Sequence, residues 1–193
     1  MLRGTQILLG SKYRELVDTC VTIAKDAGFE EIVLPQIWEA GTFLQQARPE
    51  QLYLFKDKGD RDCCLIPEAT AIIRELYNDS WKWTKAKPIK LFYVTRCYRY
   101  EKPQMGRWRE FTQFGVELLG ESIEGSYGAI RGLAEAMVPD AVFTDNVPRG
   151  LHYYTGNGFE GEIPALGAQK QVVGGGLYPE GVGFAIGIER LLL

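Results

Sequence analysis

The chain has 193 residues, 46% of them hydrophobic and 24% charged, with a formal net charge of −3. That profile fits a globular domain of ordinary size with room for a substantial core, and it excludes nucleic-acid binding through overall charge, so any polynucleotide contact has to be local. The opening MLRGTQILLG has too short an apolar run for a secretory leader, no run of about 18 apolar residues is available to enter a membrane, and Cys20, Cys63, Cys64, Cys97 and the single histidine show no zinc-site spacing, which points to reduced thiols in the cytoplasm and no bound metal.

Lys12 to Ala27 carries Leu16, Val17, Cys20, Ile23, Ala24 and Ala27 at helical spacing, with Gly28 placed to end the helix. EEIVLPQI follows as an extended run that Pro35 confines to an edge, a bulge or an interface. Trp38 to Pro49 is mixed in character. LYLFKDKGDRDCCLIPEAT reads as strand, turn at KDKGD, strand. Thr70 to Trp83 sets Ile72, Ile73, Leu76 and Tyr77 on one helical face, and Pro88 leads into the strand IKLFYVTRCYRYE. There, period-two alternation puts Arg99 and Glu101 on one face, with Tyr98 and Tyr100 on the other. After a turn at KPQMG, a second strand sets Arg109, Phe111, Gln113, Gly115 and Glu117 opposite Trp108, Phe114 and Val116, so the two strands make a hairpin. Glu124 to Met137 is a short helix expected to be loosened by Gly125, Gly128 and Gly132. DAVFTDNV is short and extended. PRGLHYYTGNGFEGEI, QKQVVGGGLY and VGFAIGIERLLL read as strand, strand, and strand running into a brief helix. No linker or repeat divides the chain, so residues 1–193 are expected to form one domain of α+β layout, a largely antiparallel sheet with helices against it.

Charges arrayed along the hairpin faces have to be paired or to meet a polar ligand. The choice is between a salt-bridged outer face and a charged cleft on a sheet. The wider excess of Arg and Lys from Lys82 to Arg109 poses the same choice, phosphate contact or solvated basic face. The residues then carry a resemblance. YRYEKPQMGRWREFTQFGVELLG resembles motif 2 of the class II aminoacyl-tRNA synthetases, and most of all that of the histidyl branch. RGLHYYTGNGFE is similar to the histidine-binding segment of the same enzymes, VGFAIGIERLLL to their motif 3, and LIPEAT to their LRPEGT segment. DAGFEEIVLPQI resembles motif 1, whose proline commonly lies near a dimer interface. The five segments occur in the family's order and cover most of the chain.

The resemblance implies a class II synthetase-like antiparallel sheet flanked by helices. It implies ATP-dependent activation of histidine to histidyl-adenylate, transfer to the 3′ end of a tRNA, and a homodimer. It also implies roles. Arg99, Arg149 and Arg190 would be catalytic, Arg99 holding the α-phosphate, Arg149 approaching it from the amino-acid side, and Arg190 binding ATP from a helix N-terminus. Glu101 and Arg107 would contact adenine and the distal phosphates. Glu68 and Thr70 would hold the amino group of histidine, and Gln113 and Glu117 would face its α-amino group and imidazole. Tyr154 and Tyr178 would close around the ring, with core packing as the alternative for both. Mg2+ would accompany ATP, although no acidic pair identifies its ligands.

Four positions depart from the family pattern. Ile66 stands where LRPE has arginine, Leu177 and Pro179 replace charged residues of GGGRYD, and His152 replaces the aspartate of RGLDYY. As the lone histidine, His152 is expected to pack rather than to react. The family's inserted helical domain and anticodon-binding domain have no counterpart here, which implies either an excised or naturally minimal catalytic core or a paralogue that has left anticodon reading behind, and the abrupt RLLL ending points to truncation. Two other readings follow: a histidine-sensing regulatory subunit of ATP phosphoribosyltransferase, and a ligase that loads an acceptor other than tRNA. Retention of Arg99, Arg149 and Arg190 favours catalysis.

Overall fold

The computed structural model describes residues 3–44, 49–120 and 123–193, with the side chains of 123 and 124 left aside. Helix α1 (Gly10–Asp26) turns Val17, Cys20 and Ala24 into the core. It stops where the sequence predicts. Gly28 takes φ +80°, Gly28 N–H donates to Lys25 O and Phe29 N–H to Ala24 O, so the last carbonyls are satisfied and Phe29 is delivered to the core. The run expected as one strand is split around Pro35 into β1 (Glu30–Glu31) and β2 (Ile37–Glu39), which join different sheets. A residue without an N–H cannot continue a ladder. Of the mixed segment, Gly41–Leu44 is a single helical turn (α2), and residues 45–48 lie outside those described.

Strands β3 (Tyr53–Lys56) and β4 (Asp62–Leu65) form the predicted hairpin and, with β2, a small sheet in the order β2-β4-β3. The next helix is less regular than its periodicity predicts: α3 (Thr70–Leu76) passes through a π turn at Tyr77–Trp81 into α4 (Lys82–Thr84). Strand β5 (Ile89–Tyr98) pairs antiparallel with β6 (Glu110–Leu119) from Ile89↔Leu119 to Tyr98↔Glu110, and Arg99 N–H donates to Arg109 O beyond the last pair. The predicted hairpin is present, but its first strand ends three residues early, because Glu101 N–H turns back to Arg99 O.

Helix α5 (Ile123–Met137) runs unbroken through its three glycines, contrary to the loosening expected. Burial of Ile130, Ala134 and Met137 against the sheet offsets the glycine cost. Gly128 is exposed in mid-helix, and a Cβ there would meet nothing within 4 Å. Gly128→Ala therefore adds about 0.5–1 kcal/mol, seen as a rise of roughly 1–4 °C in the thermal midpoint; a fall would mean that the face is covered.

Strands β7 (Val142–Pro148), β8 (Asn157–Glu162), β9 (Gln171–Tyr178) and β10 (Gly181–Gly187) complete a seven-stranded sheet in the order β1-β5-β6-β10-β9-β8-β7, antiparallel throughout except for β1 against β5. The stretch before β8, expected as strand, is instead a loop from residue 149 to 156. The sheet has a core on each face. On one, α1 and α5 pack over Phe92, Phe114, Val116 and Phe184. On the other, α3 and the small sheet cover Leu91, Tyr93, Tyr153 and Tyr178.

Candidate active site

On the α3 side of the sheet lies a cavity of about 590 Å³. Four separate segments send an arginine to its wall: Arg99 from the end of β5, Arg107 from the hairpin loop, Arg149 from the loop after β7, and Arg190 from the C-terminal turn. Arg99 Nε donates to Pro67 O at 2.9 Å, and its guanidinium lies 5.1 Å from the Phe111 ring centre. Arg107 Nε approaches Glu101 Oε2 at 2.9 Å without an aligned hydrogen bond. Arg190 donates through Nε to Gly106 O at 2.7 Å and through Nη1 to Gln171 O at 2.5 Å. Burial, then the charges of Arg107 and Arg99, pull Arg190 below the usual guanidinium pKa. A cluster of cations that repel one another in a partly dry cavity is one that a polyanion would relieve.

The helix end expected under Arg190 is only a five-residue 3₁₀ turn, Ile188–Leu192, too short to carry a useful dipole. The arginine's own N–H groups have to do the binding. Glu189 beside it is buried, accepting from Thr112 N–H at 2.7 Å, Thr112 Oγ1 at 2.8 Å and Arg96 Nη1 at 3.1 Å, which ties this turn to β5 and β6. The basic stretch resolves into two ends of β5. Arg99 and Arg107 reach the cavity, whereas Lys82, Lys85 and Lys87 precede the other end of the strand, which at ten residues is about 30 Å long. Arg109 misses the cavity and lies 4.0 Å from the Tyr100 ring centre.

The remaining predicted residues fall into two groups. Glu68, Thr70, Gln113 and Tyr154 line the cavity, as do Glu101 and Arg149. Glu68 Oε1 accepts from Ala71 N–H at 3.0 Å, and Tyr153 OH donates to its Oε2 at 3.3 Å; burial is the main cause of its raised pKa. Gln113 Oε1 accepts from the Cys97 thiol at 3.2 Å. Burial pushes the Tyr154 phenol up to about 12. Glu117 and Tyr178 are fully buried and do not reach the wall. They stand one layer behind it: Thr70 Oγ1 donates to Glu117 Oε1 at 2.6 Å, and Tyr178 OH donates to Glu117 Oε2. Burial, reinforced by the charge of Glu68, raises the Glu117 carboxyl to about 8.

His152 does not pack as expected. It is exposed at the cavity wall because Tyr153, its neighbour, takes the buried position in the loop. Sequence reasoning also passed over Tyr153, Glu160 and Gln171. Tyr153 stacks in a group with Tyr154 and Tyr178 at centroid distances of 4.7 and 6.0 Å, capped by Arg74 at 4.8 Å, which is itself held by Glu180. Glu160 Oε1 binds Arg149 Nη1 at 2.5 Å and Gln171 Nε2 at 2.8 Å. The FE pair in GNGFE was the available signal for Glu160.

Residues 53–149 match the tRNA synthetase class II core domain (G, H, P, S and T). The histidine–tRNA ligase of Methanosarcina acetivorans is 38% identical over 142 residues, which is 70% of this chain and 34% of that relative. Apo S. aureus histidyl-tRNA synthetase superposes with a TM-score of 0.82 at 26% identity, covering 100% of this chain and 68% of that one. A Bacillus halodurans protein described as an ATP phosphoribosyltransferase regulatory subunit/histidyl-tRNA synthetase gives 0.83 at 16% identity, over 100% of this chain and 82% of that one, a likeness of fold alone. The chain spans about a third of the length of the first curated relatives it matches. With half of its residues on the core-domain pattern and a class II fold around them, the chain belongs to the class II tRNA synthetase core-domain family (G, H, P, S and T).

Proposed function

We propose that the cavity binds ATP and histidine and joins them as histidyl-adenylate, releasing pyrophosphate. The observation that carries this reading is the convergence of Arg99, Arg107, Arg149 and Arg190 on one cavity beside the Glu68, Thr70 and Gln113 wall. The chemistry suits those groups. The histidine carboxylate attacks the α-phosphorus, the bond to the bridging oxygen breaks, and pyrophosphate takes the electron pair. No general base is needed, so the barrier lies in aligning two anions and stabilising charge as it moves. Arginine forks are suited to this. Glu68 and Gln113 offer acceptors for the α-ammonium group. Glu117 and Tyr178 stand behind Thr70 and brace the imidazole end without lining it.

Magnesium would accompany ATP, carried by its phosphates. Among the described residues no group of three or more His, Cys, Asp or Glu gathers to hold a metal, and the cavity carboxylates of Glu101, Glu160 and Glu189 are engaged by arginines or Thr112.

The adenylate would pass its aminoacyl group to the 3′ end of a tRNA. We also propose a homodimer, supported by Val33 at 85% and Ile37 at 53% exposure on either side of Pro35. Among the described residues no helix is long and apolar enough to cross a membrane, and the four cysteines are unpaired and buried; a cytoplasmic setting agrees with both.

The test is histidine-dependent exchange of labelled pyrophosphate into ATP. Arg149→Ala is expected to cut exchange about 10²–10³-fold while leaving the thermal midpoint within a few degrees, since Arg149 sits in a loop. Unchanged exchange would remove Arg149 from the reaction. Histidine binding with no exchange in the unmodified protein would turn the reading into the sensor one, and strong exchange with no charging of tRNA would point to another acceptor.

A further inference from the structure

Arg149 differs from the other three cavity arginines in that its guanidinium is held by a part-buried carboxylate beside it and lies over bare backbone. Glu160 Oε1 meets Nη1 at 2.5 Å and is itself held by Gln171 Nε2 at 2.8 Å. The Tyr154 ring lies 5.4 Å from the guanidinium carbon. Below, the side chain crosses β8 and β9 at two glycines: a Cβ on Gly158 would stand 2.9 Å from Arg149 Cδ, and one on Gly174 would stand 2.4 Å from Nη2. No residue with a side chain fits there while Arg149 keeps this position. Only 12% of the Arg149 side chain is exposed, and its Nε is buried without a partner. An orphaned N–H on a charged fork marks a donor waiting for an acceptor.

We propose that Glu160 is a positioning residue. With Gln171 as its brace and Gly174 as its floor, it sets the angle and depth at which Arg149 meets the anion in the cavity, and it does not itself touch substrate or metal. A flexible arginine otherwise spreads over many rotamers, and a displacement of about 1 Å at a reacting centre costs on the order of 10²-fold in rate. The sequence hints at the same design. Gly158 and Gly174 lie on the neighbouring strands β8 and β9, Gly174 pairs with Glu160, and Glu160, two residues after Gly158, faces the same side of β8.

This inference rests on the activation reaction proposed above, so the experiment has a readout that does not. The Arg149 Nε–H resonance, assigned by its loss in Arg149→Ala, should be resolved and slow to exchange with water in the unmodified protein. In Glu160→Gln and in Gly174→Ala, two changes that disturb Arg149 by different routes, it should merge with the fast-exchanging signals of exposed arginines. In exchange assays, Glu160→Gln is expected to lower kcat by about tenfold or more, with the KM for histidine moving less than about threefold. Combined with Arg149→Ala it should add nothing, because it acts through that residue. If Glu160→Gln multiplies the loss in the Arg149→Ala background, Glu160 binds substrate or metal directly and the proposal is overturned. A sharp, slowly exchanging Nε–H in both variants overturns it as well, even should the unmodified protein show no exchange activity at all, the outcome that would sink the activation reading instead.

Discussion

Arg99→Ala should reduce histidine-dependent pyrophosphate exchange by about 10³-fold, with the folded structure retained. Arg99 leaves β5 where the strand has just ended, its Nε is tied to Pro67 O, and Phe111 lies against its guanidinium plane, so the fork is aimed into the cavity before any ligand arrives. A group oriented in advance toward a site of developing negative charge needs no rearrangement during the reaction, which is why its removal is felt in the rate. Loss of the side chain also relieves part of the repulsion on Arg190, so stability should change little. Arg99→Lys should rescue less than a tenth of the activity, because a single ammonium cannot make the paired contact of a guanidinium. Exchange within tenfold of the unmodified protein in Arg99→Ala would remove this residue from the phosphate site.

Glu117→Gln should raise stability at alkaline pH while weakening histidine binding. The Glu117 carboxyl sits at about 8 in the folded chain against 4.5 unperturbed. Between those values the native state holds a proton that the unfolded chain has released, so stability falls as pH rises through the window. Glutamine, neutral and nearly the same shape, can accept from Thr70 and present its amide to Tyr178. The variant should therefore match the unmodified protein near pH 5 and exceed it by on the order of 2 kcal/mol or more at pH 8, measured by denaturation across that range. The KM for histidine should rise about tenfold at pH 8, because Glu117 acts through Thr70, which it holds from behind the wall at 2.6 Å, and a neutral amide grips that hydroxyl less firmly than a carboxylate. A variant that is stabilised at pH 8 and binds histidine normally would show that Glu117 is a buried structural acid and no part of the amino-acid pocket.

Glu68, only 4% exposed and linked to the same network through Tyr153, bounds this second prediction. Its carboxyl is also raised by burial, and its charge is one of the causes acting on Glu117. Both carboxyls are raised by burial, so each contributes to the slope of stability against pH. Removing Glu117 should flatten that slope without abolishing it.

How much of this was legible beforehand depends on the range over which the cause acts. Period-two alternation is a property of extended backbone, so the hairpin of β5 and β6 could be read from its own residues, Arg99, Gln113, Phe114 and Glu117 among them, whereas Arg107 and Arg190 were marked by the resemblance to motifs 2 and 3. Gly28 ended α1 for a reason contained in six residues. Where local signals failed, long-range packing had overruled them. Helix α5 kept its shape through three glycines because the sheet buries its apolar face, and the extended look of residues 149–156 gave way to a loop that buries Tyr153 and leaves His152 outside.

The sequence by itself determined the alternation of faces, the turn and cap positions, and the supply of arginines and carboxylates from which the cavity wall is built. Only the tertiary structure decided which of them meet. Strand order β6-β10-β9-β8 carries Arg149, Glu160 and Gln171 to the cavity that β5 and β6 open, and it sets Glu117 and Tyr178 behind the wall rather than in it. Those placements follow from hydrogen-bonded pairing between segments far apart in the chain, and no local periodicity encodes which strand will become another's neighbour.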